Sequence, residues 1–254
     1  MKRLILPIAV LLTASAQTVV SVRHRVASGG GGGTSYGNGF SLFQQTGTAN
    51  AGAGATSVAT LSGNATVGHK VLIFGYSCND SGCGTDASAI TLSASASGAG
   101  NTPVACPGNP YRVGTNKGVF GCWIMDVSTA TAAFTVTATG GTPYYLTTWA
   151  SEWGGIAAAA SAFDVAFATE VTAAETATVT TATTTNATDL VVGFIELSDG
   201  YAITPGSGFT EIGEFTPGVE LEAQSVTATG AQSCTWSWTG ATNSHGLCVA
   251  FKGQ

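Results

Sequence analysis

The residues best suited to chemistry in this sequence are two glutamates, Glu152 and Glu196, each at the end of an apolar, strand-like segment. If the two strand ends meet in the fold, the carboxyl groups could form the acid and nucleophile pair of a glycosidase. The structural alternative is that each glutamate accepts N–H bonds from a loop at a sheet edge, as buried carboxylates commonly do. Because nothing else supports the catalytic pair, we predict a protein that is not an enzyme and has no catalytic residues.

The histidines do not indicate a hydrolase. His69 and His245 are isolated near predicted strand starts, and His24 lies close to the N-terminus. The sequence lacks the G-x-S-x-G motif of a nucleophile elbow, since PGSGF at 205–209 has no first glycine and is typical of a turn. A Ser-His-Asp triad therefore has no support beyond the presence of the residue types.

One loop offers oxygen ligands for a cation. NDSGCGTD at 79–86 places carboxylate and amide groups among glycines, but the spacing of an EF-hand is missing. We interpret this loop as a turn closed by a disulfide. The zinc-protease, Walker A and dinucleotide motifs are also missing, so we expect no cofactor and no metal.

The first sixteen residues predict a secretory signal peptide. Lys2 and Arg3 precede the apolar run LILPIAVLL at 4–12, and Ala14-Ser15-Ala16 fits a cleavage site. The run is too short to cross a bilayer, and no later segment is long enough for a membrane helix. We therefore expect cleavage after Ala16, a secreted protein at the cell surface or outside the cell, and no membrane span.

Six cysteines follow, and an even number in an exported chain predicts disulfides. Nearest neighbours would pair 78 with 83, 106 with 122 and 234 with 248, although six cysteines allow fifteen pairings. Pairing 234 with 248 in a hairpin also sets Trp236 opposite Gly246 and Trp238 opposite Ser244, with a turn around Ala241. A zinc site at the C-x4-C segment is the alternative. The six residues are Cys78, Cys83, Cys106, Cys122, Cys234 and Cys248.

The composition predicts an all-β protein. Charged residues make up only 9% and hydrophobic residues 44% of the sequence, with many Thr and Gly and few helix-forming residues. About fourteen short strand candidates, separated by turn signals, fill residues 40–254 and indicate an antiparallel β-sandwich or barrel, of which we expect the sandwich. From Thr34 onward there are 14 acidic residues against four basic ones, a net charge of −10, which argues against a nucleic-acid partner.

A strand-like arm precedes this domain. Residues 17–28 alternate in polarity, and a Gly-rich linker follows at 29–39, beginning with five consecutive glycines. In an extended chain Val20, Val22 and Val26 share one face with His24, while Val19, Ser21, Arg23 and Arg25 share the other. A lone strand is not stable, so the arm needs the edge of a sheet as its partner.

Three segments carry a resemblance to a known group of domains. TWASEWGGI at 148–156, DLVVGFIE at 189–196 with ITPGSGFTEI at 203–212, and the closing W-x-W…CVAFK resemble secreted bacterial β-sandwich surface domains, many of jelly-roll type. The arm with its glycine tether resembles the N-terminal extension of donor-strand-assembled pilins. The resemblance implies a jelly-roll-like sandwich and an extracellular place, and it carries over no catalytic residues.

From these features we expect a structural subunit of a bacterial extracellular filament or pilus. Each arm would insert into the sandwich of the next copy, a head-to-tail contact that does not close, so the partner is a second copy of this chain. The alternative function is a secreted carbohydrate-binding or adhesin module, in which exposed aromatic residues stack on glycans. The residues for that alternative are Trp149, Trp153, Trp236 and Trp238.

Overall fold

The computed structural model describes residues 33–51, 56–115, 117–214 and 218–254, and these form an all-β antiparallel sandwich, as predicted. The predicted signal peptide (1–16) and arm (17–28) lie outside the described residues, as do residues 29–32 of the predicted Gly-rich linker. That region includes every residue predicted to act in assembly: Val19, Val20, Val22, Arg23, His24, Arg25 and Val26.

Sixteen strands and one short helix make up the described residues. In chain order they are β1 (Thr34–Gly37), β2 (Phe40–Ala51), β3 (Thr56–Thr60), β4 (Lys70–Cys78), β5 (Thr91–Ala96), β6 (Val104–Ala105), β7 (Tyr111–Val113), β8 (Gly118–Asp126), β9 (Ala133–Thr139), β10 (Tyr145–Gly154), α1 (Ala159–Ala162), β11 (Phe163–Thr183), β12 (Asp189–Leu197), β13 (Thr204–Pro205), β14 (Thr210–Glu214), β15 (Val219–Val226) and β16 (Ala231–Lys252).

The strands form three sheets. The central sheet has the order β1-β2-β10-β4-β8-β6, with β7 also on β8. The C-terminal sheet has the order β11-β16-β12-β15-β14, with β13 on β16, and the small sheet has the order β3-β9-β5. The chain therefore completes the central and small sheets before it starts the C-terminal sheet.

The central sheet is buried on both faces. On β4, Leu72 and Phe74 pack against the C-terminal sheet, while Val71 and Ile73 pack against the small sheet. A strand covered on both sides needs apolar residues at consecutive positions, which is what the run VLIF predicts. This arrangement gives the molecule two of its hydrophobic cores, one on each face of the central sheet.

A third core lies on the outer face of the C-terminal sheet. The long strands β11 and β16 bend back across that face near Ala173 and Gly240, which both have positive φ. Val179 and Trp236 on the bent halves then pack over Val191 on β12. The sequence predicts four separate strands here, whereas the structure has two bent ones.

The hairpin predicted between the two halves of β16 is wrong. Each half pairs with β11, so that Trp236 lies opposite Ala177 and Gly246 opposite Thr169 in the ladders. The two halves face each other across the third core and are not neighbours in one sheet. The indole of Trp236 still contacts the Gly246 position, but across layers.

The N-terminal boundary of the sandwich also differs from the prediction. Thr34–Gly37, predicted to belong to the linker, form β1 and pair with β2 at the edge of the central sheet. The segment at 156–162, which the sequence leaves open between a helical turn and a loop, contains α1. No helix in the described part of the chain is long and apolar enough to cross a membrane.

Candidate functional site

A cluster of polar side chains lies buried between the central and C-terminal sheets at one end of the sandwich. The hydroxyl of Tyr76 on β4 lies 2.5 Å from Nδ1 of His245 on β16. Glu196 on β12 is the ladder neighbour of His245, and its Oε2 lies 3.8 Å from the same nitrogen. Tyr76, His245 and Glu196 are all buried, so three polar groups from three strands meet in an apolar core.

An ion pair flanks this cluster on its other side. Glu170 on β11 places Oε1 3.6 Å from Nε2 of His245 and 3.3 Å from the ammonium of Lys117. The turn that carries Lys117 approaches closely because Gly118 has no side chain: a Cβ there would lie 2.8 Å from both His245 Nδ1 and the Tyr76 hydroxyl. The contact between Tyr76 and His245 therefore requires a residue without a side chain at position 118.

Burial controls the protonation of the cluster. It raises the pKa of Glu196 to about 8, although the Tyr76 hydroxyl acts in the opposite direction. It raises the pKa of Tyr76 well above its usual range, with Glu196 adding to the shift, and it lowers the pKa of His245 against the opposing effect of Glu170. At neutral pH the favoured state is a neutral imidazole, phenol and carboxylic acid beside one ion pair.

A small pocket leads from the surface to this cluster. Its volume is about 170 Å³, and its lining includes Glu196, Tyr145 and the disulfide of Cys78 and Cys83. The predicted turn at 79–86 forms its rim, where Asp80 accepts bonds from the backbone N–H groups of Gly82, Gly84 and Thr85. These bonds occupy the carboxylate, so Asp80 organises the turn.

Glu152 belongs to a different site, so the catalytic pair of Glu152 and Glu196, which was considered from the sequence but not favoured, does not form. Glu152 lies at the opposite end of the central sheet, opposite Val71, and its carboxylate faces away from the C-terminal sheet. It accepts bonds from the backbone of Thr66 (2.8 Å) and the side chain of Gln44 (2.6 Å), and it lies 2.6 Å from His69 Nδ1. This is the structural role that the sequence offered as the alternative.

A second group of glutamates lies at the edge of the C-terminal sheet, where the carboxylate of Glu222 accepts a bond from the backbone N–H of Gly206 (2.9 Å). Glu220 and Glu222 on β15 are fully buried, and their ladder partners on β14 are Glu214 and Glu211. Burial first, and the neighbouring carboxylates second, raise the pKa of Glu220 to about 9. Burial raises the pKa of Glu222 to about 8. These four residues form the acidic edge of the C-terminal sheet.

The cysteines form three disulfides in the nearest-neighbour pattern: Cys78 with Cys83, Cys106 with Cys122 and Cys234 with Cys248. The third bond joins the two halves of β16 across the third core. It therefore holds the bent half of the strand against the C-terminal sheet.

The four tryptophans considered for glycan stacking are not on the surface. Trp149 and Trp153 are fully buried, and Trp236 and Trp238 are 2% and 6% exposed. The first two fill the core between the large sheets, and the other two fill the third core. A stacking platform must present an open ring face, so the glycan-binding role of these residues is wrong.

The outer edge of β11 is the clearest unpaired strand edge. β11 is the last strand of the C-terminal sheet, and no described strand pairs with its outer side over Phe163–Val171. Phe167, in the middle of this stretch, is 50% exposed. An exposed edge with an apolar side chain is a template for pairing with another strand.

Sequence reasoning did not select Tyr76, Glu170 or Lys117. Tyr76 lies within a strand of buried residues, where its hydroxyl has to find a polar partner, and this was the available signal. Glu170 and Lys117 could not be connected with His245 from the sequence because the three belong to segments far apart in the chain.

Comparison with known proteins adds little to this description. No protein-family model matches the chain, and no curated protein matches it. A solved structure titled "Crystal Structure of the STIV MCP" is similar at 8% identity, over 84% of this chain and 95% of that chain, with a TM-score of 0.23. A TM-score this low supports no statement about the fold or the function of this chain.

Proposed function

We propose that this protein is a non-enzymatic subunit of an extracellular homopolymer. Residues 17–28 of one copy pair with the outer edge of β11 in the next copy and extend its C-terminal sheet by one strand. The observation that carries the proposal is the unpaired edge of Phe163–Val171 with Phe167 half exposed. Addition of a strand to such an edge is a common mode of recognition, in which backbone bonds give affinity and side-chain pockets give specificity.

The arm has the chemistry that this edge requires. Burial of Val20, Val22 and Val26 would contribute on the order of 5 kcal/mol before the entropy of ordering is subtracted. Glu175, further along β11, is exposed, and the described domain is strongly acidic. Arg23 and Arg25 therefore meet a surface of opposite charge, which favours association between copies.

The place where the chain enters the sandwich supports exchange between copies. Gly33 lies against the backbone of Leu42, and β1 follows directly at the edge of the central sheet. Tyr36 on β1 accepts a hydrogen bond from Ser225 on β15, whereas the Lys117 turn contacts Glu170 on β11. The entry point and the free edge of β11 are thus on opposite sides of the molecule.

The tether is short for a connection within one copy. Residues 27–33 can span at most about 25 Å when fully extended. Six strands across make the central sheet about 24 Å wide, and the facing sheet is about 10 Å away. A path over the surface from Gly33 to β11 of the same molecule is longer than the reach of residues 27–33. The path to β11 of a neighbouring molecule can be shorter, because the neighbour can lie next to Gly33.

The experiment is sedimentation and negative-stain microscopy of the secreted protein. We expect polymers from the wild type and monomers after deletion of residues 17–28 or after Phe167→Lys. Val58→Lys is the matched control, because Val58 is 44% exposed on the small sheet, away from the proposed contact. Polymers that persist in both altered proteins, or a wild type that stays monomeric at all concentrations, would refute the proposal.

A further inference from the structure

We propose that opening the Cys78–Cys83 disulfide creates a binding site for a divalent transition-metal ion of the zinc type, with Cys83, His245 and Glu196 as its ligands. The three ligand atoms already lie within 4.8 Å of one another, and all three residues are buried. In the disulfide form the sulfur of Cys83 is bonded to Cys78 and cannot act as a thiolate. The site therefore depends on the redox state of this one bond.

The geometry is close to that of a zinc site. Zinc binds sulfur at about 2.3 Å and nitrogen or oxygen at about 2.0–2.2 Å, so ligand atoms around it lie about 3.5 Å apart. Glu196 Oε2 is already 3.8 Å from His245 Nδ1. The sulfur of Cys83 lies at most 4.8 Å from the other two ligand atoms, so a shift on the order of 1 Å brings it to the spacing of a zinc site.

Two buried atoms in the cluster have no described partner within normal hydrogen-bond distance: Oε2 of Glu196, which is 3.8 Å from His245 Nδ1, and Nε2 of His245, which is 3.6 Å from Glu170 Oε1. Buried polar atoms without partners are rare in folded proteins and call for an explanation such as a bound ion. Oε2 of Glu196 faces the position between His245 Nδ1 and Cys83. A cation at that position would give this oxygen atom a close partner.

Residues around the cluster would support the ligands. With Nδ1 on the metal, Nε2–H of His245 points at Glu170 Oε1, 3.6 Å away, and Lys117 holds that carboxylate. A carboxylate on the far nitrogen of a histidine ligand is the usual way to fix its orientation. Binding at Nδ1 requires the Tyr76 hydroxyl to release this nitrogen, and the hydroxyl is then beside the fourth position.

The ion has a route to this position. The pocket of about 170 Å³ is lined by Cys78, Cys83 and Glu196, so it connects the surface to two of the three ligands. A water molecule from the pocket can complete four-coordination.

The chemistry balances with an external dithiol as reductant. The dithiol gives two electrons and two protons to the Cys78–Cys83 bond and becomes a disulfide, while both cysteines become thiols. Zinc then displaces the proton of the Cys83 thiol and the proton of the Glu196 carboxylic acid, and both protons go to solvent.

The test uses a variant that frees the ligand without any reductant. Cys78→Ser leaves Cys83 as a thiol and keeps the other two disulfides, and Cys83→Ser is the matched control because it removes the same crosslink but frees the other sulfur. Titration with Zn²⁺ alone, and with Co²⁺ to detect a thiolate-to-metal absorption band, should show one ion per chain for Cys78→Ser. Its affinity should exceed that of Cys83→Ser and of the oxidised wild type by at least about tenfold.

Two further measurements complete the test. Adding His245→Gln or Glu196→Gln to Cys78→Ser should each weaken Zn²⁺ binding by about tenfold or more. In the wild type treated with a dithiol, Zn²⁺ should protect Cys83 from alkylation more than it protects Cys78, which gives a result even if a variant folds poorly. Equal binding by Cys78→Ser and Cys83→Ser, binding unchanged by the ligand variants, or equal alkylation of the two cysteines would overturn the proposal.

Discussion

The hydroxyl of Tyr76 lies 2.5 Å from Nδ1 of His245, and this contact joins two facing sheets through residues 169 positions apart. It is the one described side-chain hydrogen bond that links the core-facing surfaces of β4 and β16. A polar contact in an apolar core has a large cost when only one partner is removed. The contact therefore adds a specific polar link to the apolar packing between the two sheets.

Removal of the Tyr76 hydroxyl should lower the stability. In Tyr76→Phe the Nδ1 atom of His245 remains buried without its partner, so we expect the free energy of unfolding to fall by about 1–3 kcal/mol. Chemical denaturation measures this change. Tyr144→Phe is the control, since Tyr144 is 42% exposed, and it should have no effect. A Tyr76→Phe protein as stable as the wild type would show that the contact is not important.

A methyl group at Gly118 should disturb the same cluster. A Cβ at this position would lie 2.8 Å from both His245 Nδ1 and the Tyr76 hydroxyl, so Gly118→Ala forces these groups apart. We expect a loss of about 1–3 kcal/mol in denaturation experiments. Gly63→Ala is the matched control, because the nearest atom to its Cβ would be 3.9 Å away. Equal stability of the two variants would contradict the close packing described for Gly118.

The acidic edge predicts that stability decreases as the pH rises. Burial raises the pKa of Glu220 from 4.5 to about 9, with the neighbouring carboxylates adding to the shift, and burial raises that of Glu222 to about 8. Between pH 4.5, where a glutamate in the unfolded chain loses its proton, and pH 8 to 9, where these two lose theirs, the folded protein holds protons that the unfolded chain releases. The free energy of unfolding is therefore highest near pH 4.5 and falls toward pH 9, by at most about 1.4 kcal/mol per pH unit for each proton.

Neutral substitutions at this edge provide the measurement. Glu220→Gln and Glu222→Gln each remove one titrating group, so thermal unfolding across this pH range should show a shallower decrease in both. Glu175→Gln, at an exposed position of β11, should leave the slope as it is. A wild type whose stability increases over the same range would contradict the raised pKa values.

The disulfide between Cys234 and Cys248 should contribute more than the one between Cys78 and Cys83. The two bonds close segments with sequence separations of 14 and 5. Chain entropy then predicts losses of about 3 and about 2 kcal/mol when each pair is replaced by serines. Denaturation without reductant compares the two double variants. The opposite ranking would mean that the bent half of β16 is held chiefly by its packing.

Much of the fold follows from the sequence because the strands follow simple rules. The continuous apolar run of β4 requires cover on both faces, and the alternation in β9 requires cover on one. The rule for alternating strands fails on β15. Glu220 and Glu222 alternate there with Val219 and Leu221, a pattern that predicts glutamates on a solvent-exposed face. Both glutamates are buried instead, since the outer face of their sheet is covered.

The candidate sites were harder to predict because they depend on contacts between distant segments. Glu196 was considered from the sequence, but its neighbours Tyr76 and His245 come from other strands. Glu152, the other glutamate considered with it, lies at the opposite end of the central sheet. The bends of β11 and β16 were hard to predict for the same reason, because the bent halves are held by packing over β12, which is distant in the chain. Both bend residues have positive φ, but only Gly240 gives a local sign in the sequence, because glycine adopts positive φ readily and alanine at 173 does not.

The central claim, that the arm of one copy pairs with β11 of another, is tested most directly by crosslinking. One batch of protein is labelled with heavy nitrogen and has a photo-crosslinking residue in place of Val22. A second batch is unlabelled and has no crosslinking residue, and the two batches are mixed before assembly. We predict crosslinks between heavy arm peptides and light peptides containing residues 163–171. Crosslinks found only within heavy copies of monomeric protein, or directed to other surfaces, would contradict the account.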